Sequence, residues 1–157
     1  KFKKRKYVVT YNLHHDKKLD NFANTLAKEK GIELLNISYN WHDVIRPGKL
    51  VWCPSVEEYL GLIRDAEYVI ADSFHATAFS IQFHKKFISF YPEKASIRIR
   101  DILKKLDIQQ RGTEGNPNIQ DMDADIDYNA VDNLLYKYRK QDEKYLVAVT
   151  DAIKRNC

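Results

Sequence analysis

Two cysteines in 157 residues, Cys53 and Cys157, leave no material for a disulfide framework or a CxxC metal pattern, and both read as unreactive thiols. Long hydrophobic runs are missing as well. The apolar stretches are strand-sized, and Lys1-Phe2-Lys3-Lys4-Arg5-Lys6 leads straight into a strand with no hydrophobic segment between, so neither a transmembrane span nor a signal peptide is expected, and the default location is cytoplasmic. No internal repeat or low-complexity tract interrupts the chain. A long basic stripe with interleaved aromatics is also absent, which argues against nucleic acid as a partner. What is present, 44% hydrophobic and 31% charged residues, is the composition of a globular domain large enough to bury a core.

The net charge of +4 is unevenly spread. Between His84 and Arg111 eight basic residues face three acidic ones, a local excess of +5, whereas Glu114 to Asp132 carries six carboxylates and no Lys or Arg. A small anionic ligand fits the basic segment, although a charge run on a helix is more often a solvated face.

Apolar spacing predicts alternating strands and helices. Tyr7 to Tyr11 reads as a strand and Leu19 to Lys30 as a helix stopped by Gly31; Ile32 to Ile37 is a second strand. Ser38 to Cys53 is a loop around Pro47-Gly48 with a short strand at Lys49 to Trp52. Ser55 and Glu58 form a capping box that opens a helix to about Asp65. Tyr68 to Ala71 has the unbroken apolar character of a strand buried on both faces. A helix from Ala76 to His84, a strand from Lys86 to Tyr91 and a helix from Ile97 to Leu106 follow. Gly112 to Asp127 reads as a polar connection, and Tyr128 to Arg155 as one or two closing helices. The expected fold is α/β, a Rossmann-like three-layer sandwich over residues 1–157 whose mostly parallel sheet has four or five strands.

The richest segment is Asp72-Ser73-Phe74-His75-Ala76-Thr77, between a buried strand and a helix. In open α/β sheets the turn leaving the carboxyl end of a strand is where ligands bind, and the helix that follows offers free N–H groups to an anion. His75 is the candidate proton carrier, since imidazole titrates near neutral pH. Taken alone, such a His more often caps its helix. His14-His15-Asp16 has the residue types of a metal cluster, but adjacent side chains diverge and no third ligand has suitable spacing, so no metal is expected and a strand-end loop with polar residues explains it; at a cleft-facing loop a minor acceptor role stays open. Trp41-His42-Asp43 is equally readable as a sugar-stacking surface or a loop anchor. His84 reads as helix C-terminal charge, Arg100 as a surface residue, and Arg111 as a partner for a nearby carboxylate.

The run from Ser55 to Ser80, with Lys86-Phe87 and then Arg98-Ile99-Arg100-Asp101-Ile102-Leu103, resembles the carboxyl-terminal half of the polysaccharide pyruvyl transferases, strongly over about residues 50–111. One position departs from the pattern. The family usually has Gly after the His, and here stands Ala76, whose methyl would fill space where a substrate approaches.

The resemblance implies a carboxyl-terminal lobe of a two-lobe, GT-B-like enzyme that completes its site with an amino-terminal lobe. It implies transfer of pyruvate from phosphoenolpyruvate to two hydroxyls of a sugar or lipid-linked glycan, forming a ketal in bacterial exopolysaccharide or capsule synthesis, in the cytoplasm or at the inner face of the membrane. No cofactor is implied. In that reading His75 moves protons, while Ser73, Lys94 and Arg98 hold the donor's phosphate and carboxylate; Tyr91 and Ser73 are available to the acceptor. Two other readings stay open: a glycosyltransferase lobe for a nucleotide sugar, against which the glycine-free turn counts, and a binding domain that kept the fold without the chemistry.

Overall fold

A computed structural model describes residues 5–93 and 96–155. Six strands make one sheet: β1 (Tyr7–Tyr11), β2 (Glu33–Ser38), β3 (Lys49–Trp52), β4 (Tyr68–Ala71), β5 (Lys86–Phe90) and β6 (Gly112–Thr113). Their order is β3-β2-β1-β4-β5-β6 and every neighbouring pair is parallel. The helices are α1 (Lys17–Lys30), α2 (Val56–Asp65), α3 (Phe74–Gln82), α4 (Ile97–Lys105), α5 (Ile119–Asp123) and α6 (Tyr128–Arg155).

Strand periodicity sorts side chains onto two faces. Tyr7, Val9, Leu35, Ile37, Val69, Ala71 and Phe87 point into a core closed by Leu62 and Ile63 of α2, Ala76 and Ile81 of α3, Ile99 and Leu103 of α4 and Val131 of α6. The alternate residues Val8, Leu34, Tyr68, Ile70, Ile88 and Phe90 meet Leu19, Phe22, Ala23, Leu26 and Ala27 of α1 and Met122 of α5. The three-layer α/β expectation therefore holds, and the continuous apolar strands are explained by helices covering both faces.

Local signals act as the sequence predicts. Gly31 ends α1 with φ 64°, a left-handed conformation that costs glycine little. The Ser55 hydroxyl accepts from the Glu58 amide at 3.2 Å while the Glu58 carboxylate accepts from the Ser55 amide at 3.0 Å. α3 begins two residues earlier than predicted, because Ser73 rather than the imidazole side chain is the N-cap residue. The sheet has six strands rather than four or five. The expected polar connection holds β6, too short to show a period, and α5, whose main anchor is the single buried Met122. A 3₁₀ turn spans Trp41–Ile45. The closing segment is one 28-residue helix whose residues 141–150 are all exposed. No described helix is long and apolar enough to cross a membrane.

Order β3-β2-β1-β4 positions the site. The chain winds outward from β1 through β2 to β3, then returns to lay β4 against the other side of β1. The loops that follow β1 and β4 consequently lead to helices on opposite faces and leave a crevice between them at the carboxyl edge, a topological switch point.

Candidate functional site at the β1–β4 switch point

The turn after β4 is rigid. Thr77 donates its hydroxyl to the Ser73 carbonyl at 2.9 Å or shares a hydrogen bond with the Ser89 hydroxyl at 2.7 Å, tying the first turn of α3 to β5. Ser73 is buried, yet its hydroxyl makes no capping bond, and the first turn of α3 contains no acidic residue. The amides at this helix start are thus left for an incoming acceptor group. Ala76 is fully buried in the core, so its methyl points away from the crevice rather than into it.

His75 is exposed in that first turn and makes no hydrogen bond among the described residues; its ring meets the edge of Phe74 with centroids 5.9 Å apart. The Arg98 guanidinium lies over the same Phe74 ring, 5.2 Å from its centroid, and has no ion-pair partner among the described residues. Phe74 therefore brings together an imidazole and an uncommitted cation from two helices. Lys94 lies outside the described residues.

On the other bank of the crevice stands a pair that the sequence reading did not join. Asp72, at the end of β4 and almost wholly buried, accepts from the Leu13 amide at 2.7 Å, the His14 amide at 2.9 Å and His14 Nδ1 at 2.8 Å. The loop leaving β1 is thereby tied to the turn carrying His75. A carboxylate at Nδ1 fixes the ring and leaves Nε2 as the free, proton-accepting nitrogen, the geometry by which a carboxylate prepares a catalytic imidazole. Nε2 has no partner among the described residues, and about half of the His14 side chain is exposed.

That loop is itself braced. Asn12 donates to the Asp16 carbonyl and to Asp20 at 2.9 and 3.0 Å. Arg46, from the β2–β3 loop, holds Asp20 through Nε at 2.9 Å and a second nitrogen, and reaches Asp43 at 3.2 Å. Burial pulls the Arg46 guanidinium down, but its bonds to Asp20 and Asp43 together raise it above its ordinary value. His15 carries φ 55° and faces Asp43 at 3.5 Å. A left-handed residue of this kind costs about 1–2 kcal/mol, which the surrounding contacts must offset.

His14 and Asp72 open into a cleft of about 480 Å³ lined also by Asp16, Lys18, Tyr91, Pro92, Glu93 and Glu114. Tyr91 is fixed from two sides: Arg100 lies 3.8 Å above its ring, and Gly112 leaves room for its hydroxyl. Burial raises the Tyr91 phenol, Arg100 opposes and Glu114 adds to the rise. Arg100 is a surface residue as expected, with Glu114 as its ion-pair partner. Among the described residues no group of three or more His, Cys, Asp or Glu side chains could hold a metal ion.

Other expectations separate. Asp43 anchors its loop by accepting from Ser38 Oγ at 2.6 Å, while Trp41 stays exposed against His42. His84 stacks on Tyr128 and pairs with Asp132 of α6, so it fastens the closing helix. Arg111 is a correction. It is fully buried and donates to the carbonyls of Asp121 and Ala124, not to a carboxylate, because it ties down the end of α5, where backbone acceptors are left over. Burial lowers its guanidinium.

A six-stranded parallel sheet covered by helices on both faces, with polar groups gathered at its switch point, defines a domain of the Rossmann-like α/β class. The chain belongs to the polysaccharide pyruvyl transferase family, whose model matches residues 1–94. The match reaches further toward the amino terminus than the segment in which the resemblance was read, and it ends before Arg98. No curated protein matches the chain. Among solved structures it is similar to a UDP-GlcNAc 2-epimerase from Neisseria meningitidis bound to UDP-GlcNAc, at 11% identity and a TM-score of 0.49. That likeness covers 89% of this chain, which spans 38% of the length of the epimerase chain.

Proposed function

We propose that this domain is the carboxyl-terminal lobe of an enzyme that transfers pyruvate from phosphoenolpyruvate to two hydroxyls of a sugar or lipid-linked glycan, as a ketal, in bacterial exopolysaccharide or capsule synthesis at the cytoplasmic side of the membrane. An amino-terminal lobe completes the cleft, and no cofactor takes part. The observation that carries the reading is the meeting on Phe74 of His75 and an Arg98 that has no ion-pair partner among the described residues, beside the start of α3, which has no side-chain cap, in a member of this family.

Phosphoenolpyruvate carries a phosphate and a carboxylate that need guanidinium and N–H donors, for which Arg98, the α3 amides and the Ser73 hydroxyl stand ready, with Lys94 assigned to the same task. Ketal formation requires that the methylene carbon gain a proton, that phosphate leave, and that two acceptor hydroxyls each lose a proton. His75 is the residue we assign to protonating the methylene carbon.

The test is a phosphorus NMR titration of phosphoenolpyruvate into the full-length protein, with a uridine diphosphate sugar as competitor and Arg98→Ala as control. Saturable binding that weakens at least about tenfold in the variant and ignores the nucleotide supports the reading. Binding of the nucleotide sugar alone refutes it in favour of glycosyl transfer.

A further inference from the structure

We infer that the cleft on the His14 side is the acceptor's site, and that His14, held by Asp72, takes the proton from the attacking sugar hydroxyl. The inference rests on the pyruvyl-transfer reading and assigns the half of the chemistry that His75 leaves undone. The two banks of the switch point differ in charge. On the α3 side stand Arg98, with no ion-pair partner among the described residues, and a helix start with no side-chain cap, suited to an anion. The His14 cleft is lined by Asp16, Asp72, Glu93 and Glu114, with Lys18, His14 and Tyr91. Among the described residues the lining carries more carboxylates than cations even with Glu114 paired to Arg100, which disfavours a phosphorylated donor, whereas carboxylates, a phenol and an imidazole are good partners for the hydroxyls of an uncharged polyol. The volume of about 480 Å³ admits a sugar ring.

His14 is the base in this cleft because its other nitrogen is committed. The 2.8 Å contact of Nδ1 with Asp72 selects the tautomer in which Nε2 accepts. The two backbone amides on the same carboxylate keep Asp72 from turning away, so Asp72 is a positioning residue. The steps balance. The acceptor O–H gives its proton to His14 Nε2 as its oxygen bonds to C2 of phosphoenolpyruvate, and His75 supplies the proton that turns the methylene into a methyl. The C2–O bond to phosphate then breaks, its electron pair leaving as inorganic phosphate. The second hydroxyl oxygen bonds to C2 and its proton passes to the departing phosphate, which leaves as hydrogen phosphate, while His14 gives its proton to solvent and His75 regains one from solvent before the next turnover.

The experiment uses the full-length protein, phosphoenolpyruvate and a panel of methyl pyranosides, with phosphate release as the readout, and compares wild type with His14→Gln and Asp72→Asn. His14→Gln should lower kcat by about 100-fold or more with KM for phosphoenolpyruvate within about threefold. Asp72, Asp16, Lys18, Tyr91, Glu93 and Glu114 face the same cleft, and their charges remain in that variant. Asp72→Asn should lower kcat with little change in KM. Should it fail to fold, imidazole nitrogen NMR of the wild type replaces it, and a His14 ring protonated at Nε2 rather than Nδ1 near pH 8 overturns the assignment. A His14→Gln enzyme with wild-type kcat overturns this inference alone. A wild-type protein that neither binds phosphoenolpyruvate nor releases phosphate from it overturns the inference and the pyruvyl-transfer reading together.

Discussion

Replacing Arg46 with Met probes the brace under the β1–α1 loop. The Arg46 side chain is 9% exposed, and its partners Asp20 and Asp43 are 15% and 8% exposed. Removing the guanidinium leaves two carboxylates with little solvent. Breaking a buried pair by deleting one partner costs about 3–5 kcal/mol. Asp20 keeps its bond from Asn12 and Asp43 keeps its bond from Ser38, so the low end, about 3 kcal/mol, is expected. For a domain of this size that corresponds to a fall in Tm of about 6–12 °C. Urea denaturation measures the loss, and a cycle with Asp20→Asn isolates the pair, with an expected coupling of about 2 kcal/mol. Arg46 also donates to the Asn12 carbonyl at 3.3 Å, so the Leu13 and His14 amides that bond to Asp72 should exchange faster with solvent in the variant. A loss below about 1 kcal/mol would equal that of an exposed ion pair and refute the argument from burial.

Three further outcomes are expected. Burial pushes the Tyr7 phenol up to about 12, with Asp65 adding to the shift, and its hydroxyl donates to the Leu62 carbonyl at 2.9 Å. The folded state therefore holds this proton more tightly, so the contribution is intact below about pH 10 and falls by about 2 kcal/mol as pH rises toward 12; Tyr7→Phe should flatten that alkaline slope in urea midpoints, and an unchanged slope refutes the assignment. Gly112→Ala places a Cβ 1.9 Å from the Tyr91 hydroxyl, which must move the ring from under Arg100 and out of the cleft wall at a cost of about 1–3 kcal/mol; near-ultraviolet circular dichroism and Tm report both effects, and a wild-type spectrum would contradict the packing. Ala76→Gly removes a buried methyl from a helix and should cost about 2 kcal/mol while leaving turnover unchanged; higher turnover at unaltered stability would put the Ala76 methyl in the substrate's path instead.

The elements most legible in the sequence are those whose signals are local. The stop at Gly31, the Ser55–Glu58 box and the apolar stripe of α1 each depend on residues within one or two turns, and each stands where it was expected. β6 and α5 were missed for the converse reason. Two strand residues carry no period, and α5 is held by Met122 and by carbonyl bonds from Arg111, ten residues or more away in sequence. His75 and Arg98 were candidates from residue type and from resemblance, but nothing in their spacing shows that Phe74 lies between them.

By itself the sequence determined the α/β alternation, the burial of the strands on both faces and the strand-to-helix turn at Asp72 to His75, because hydrophobic period and capping chemistry act over a few residues. Only the tertiary structure decided the strand order. Pairing β4 with β1 sets Asp72 beside a loop 58 residues away in sequence, and the bond to His14 Nδ1 exists because those two strand ends are neighbours. Such a partnership depends on parallel strands brought together by crossovers, and no local pattern encodes which strand ends will meet.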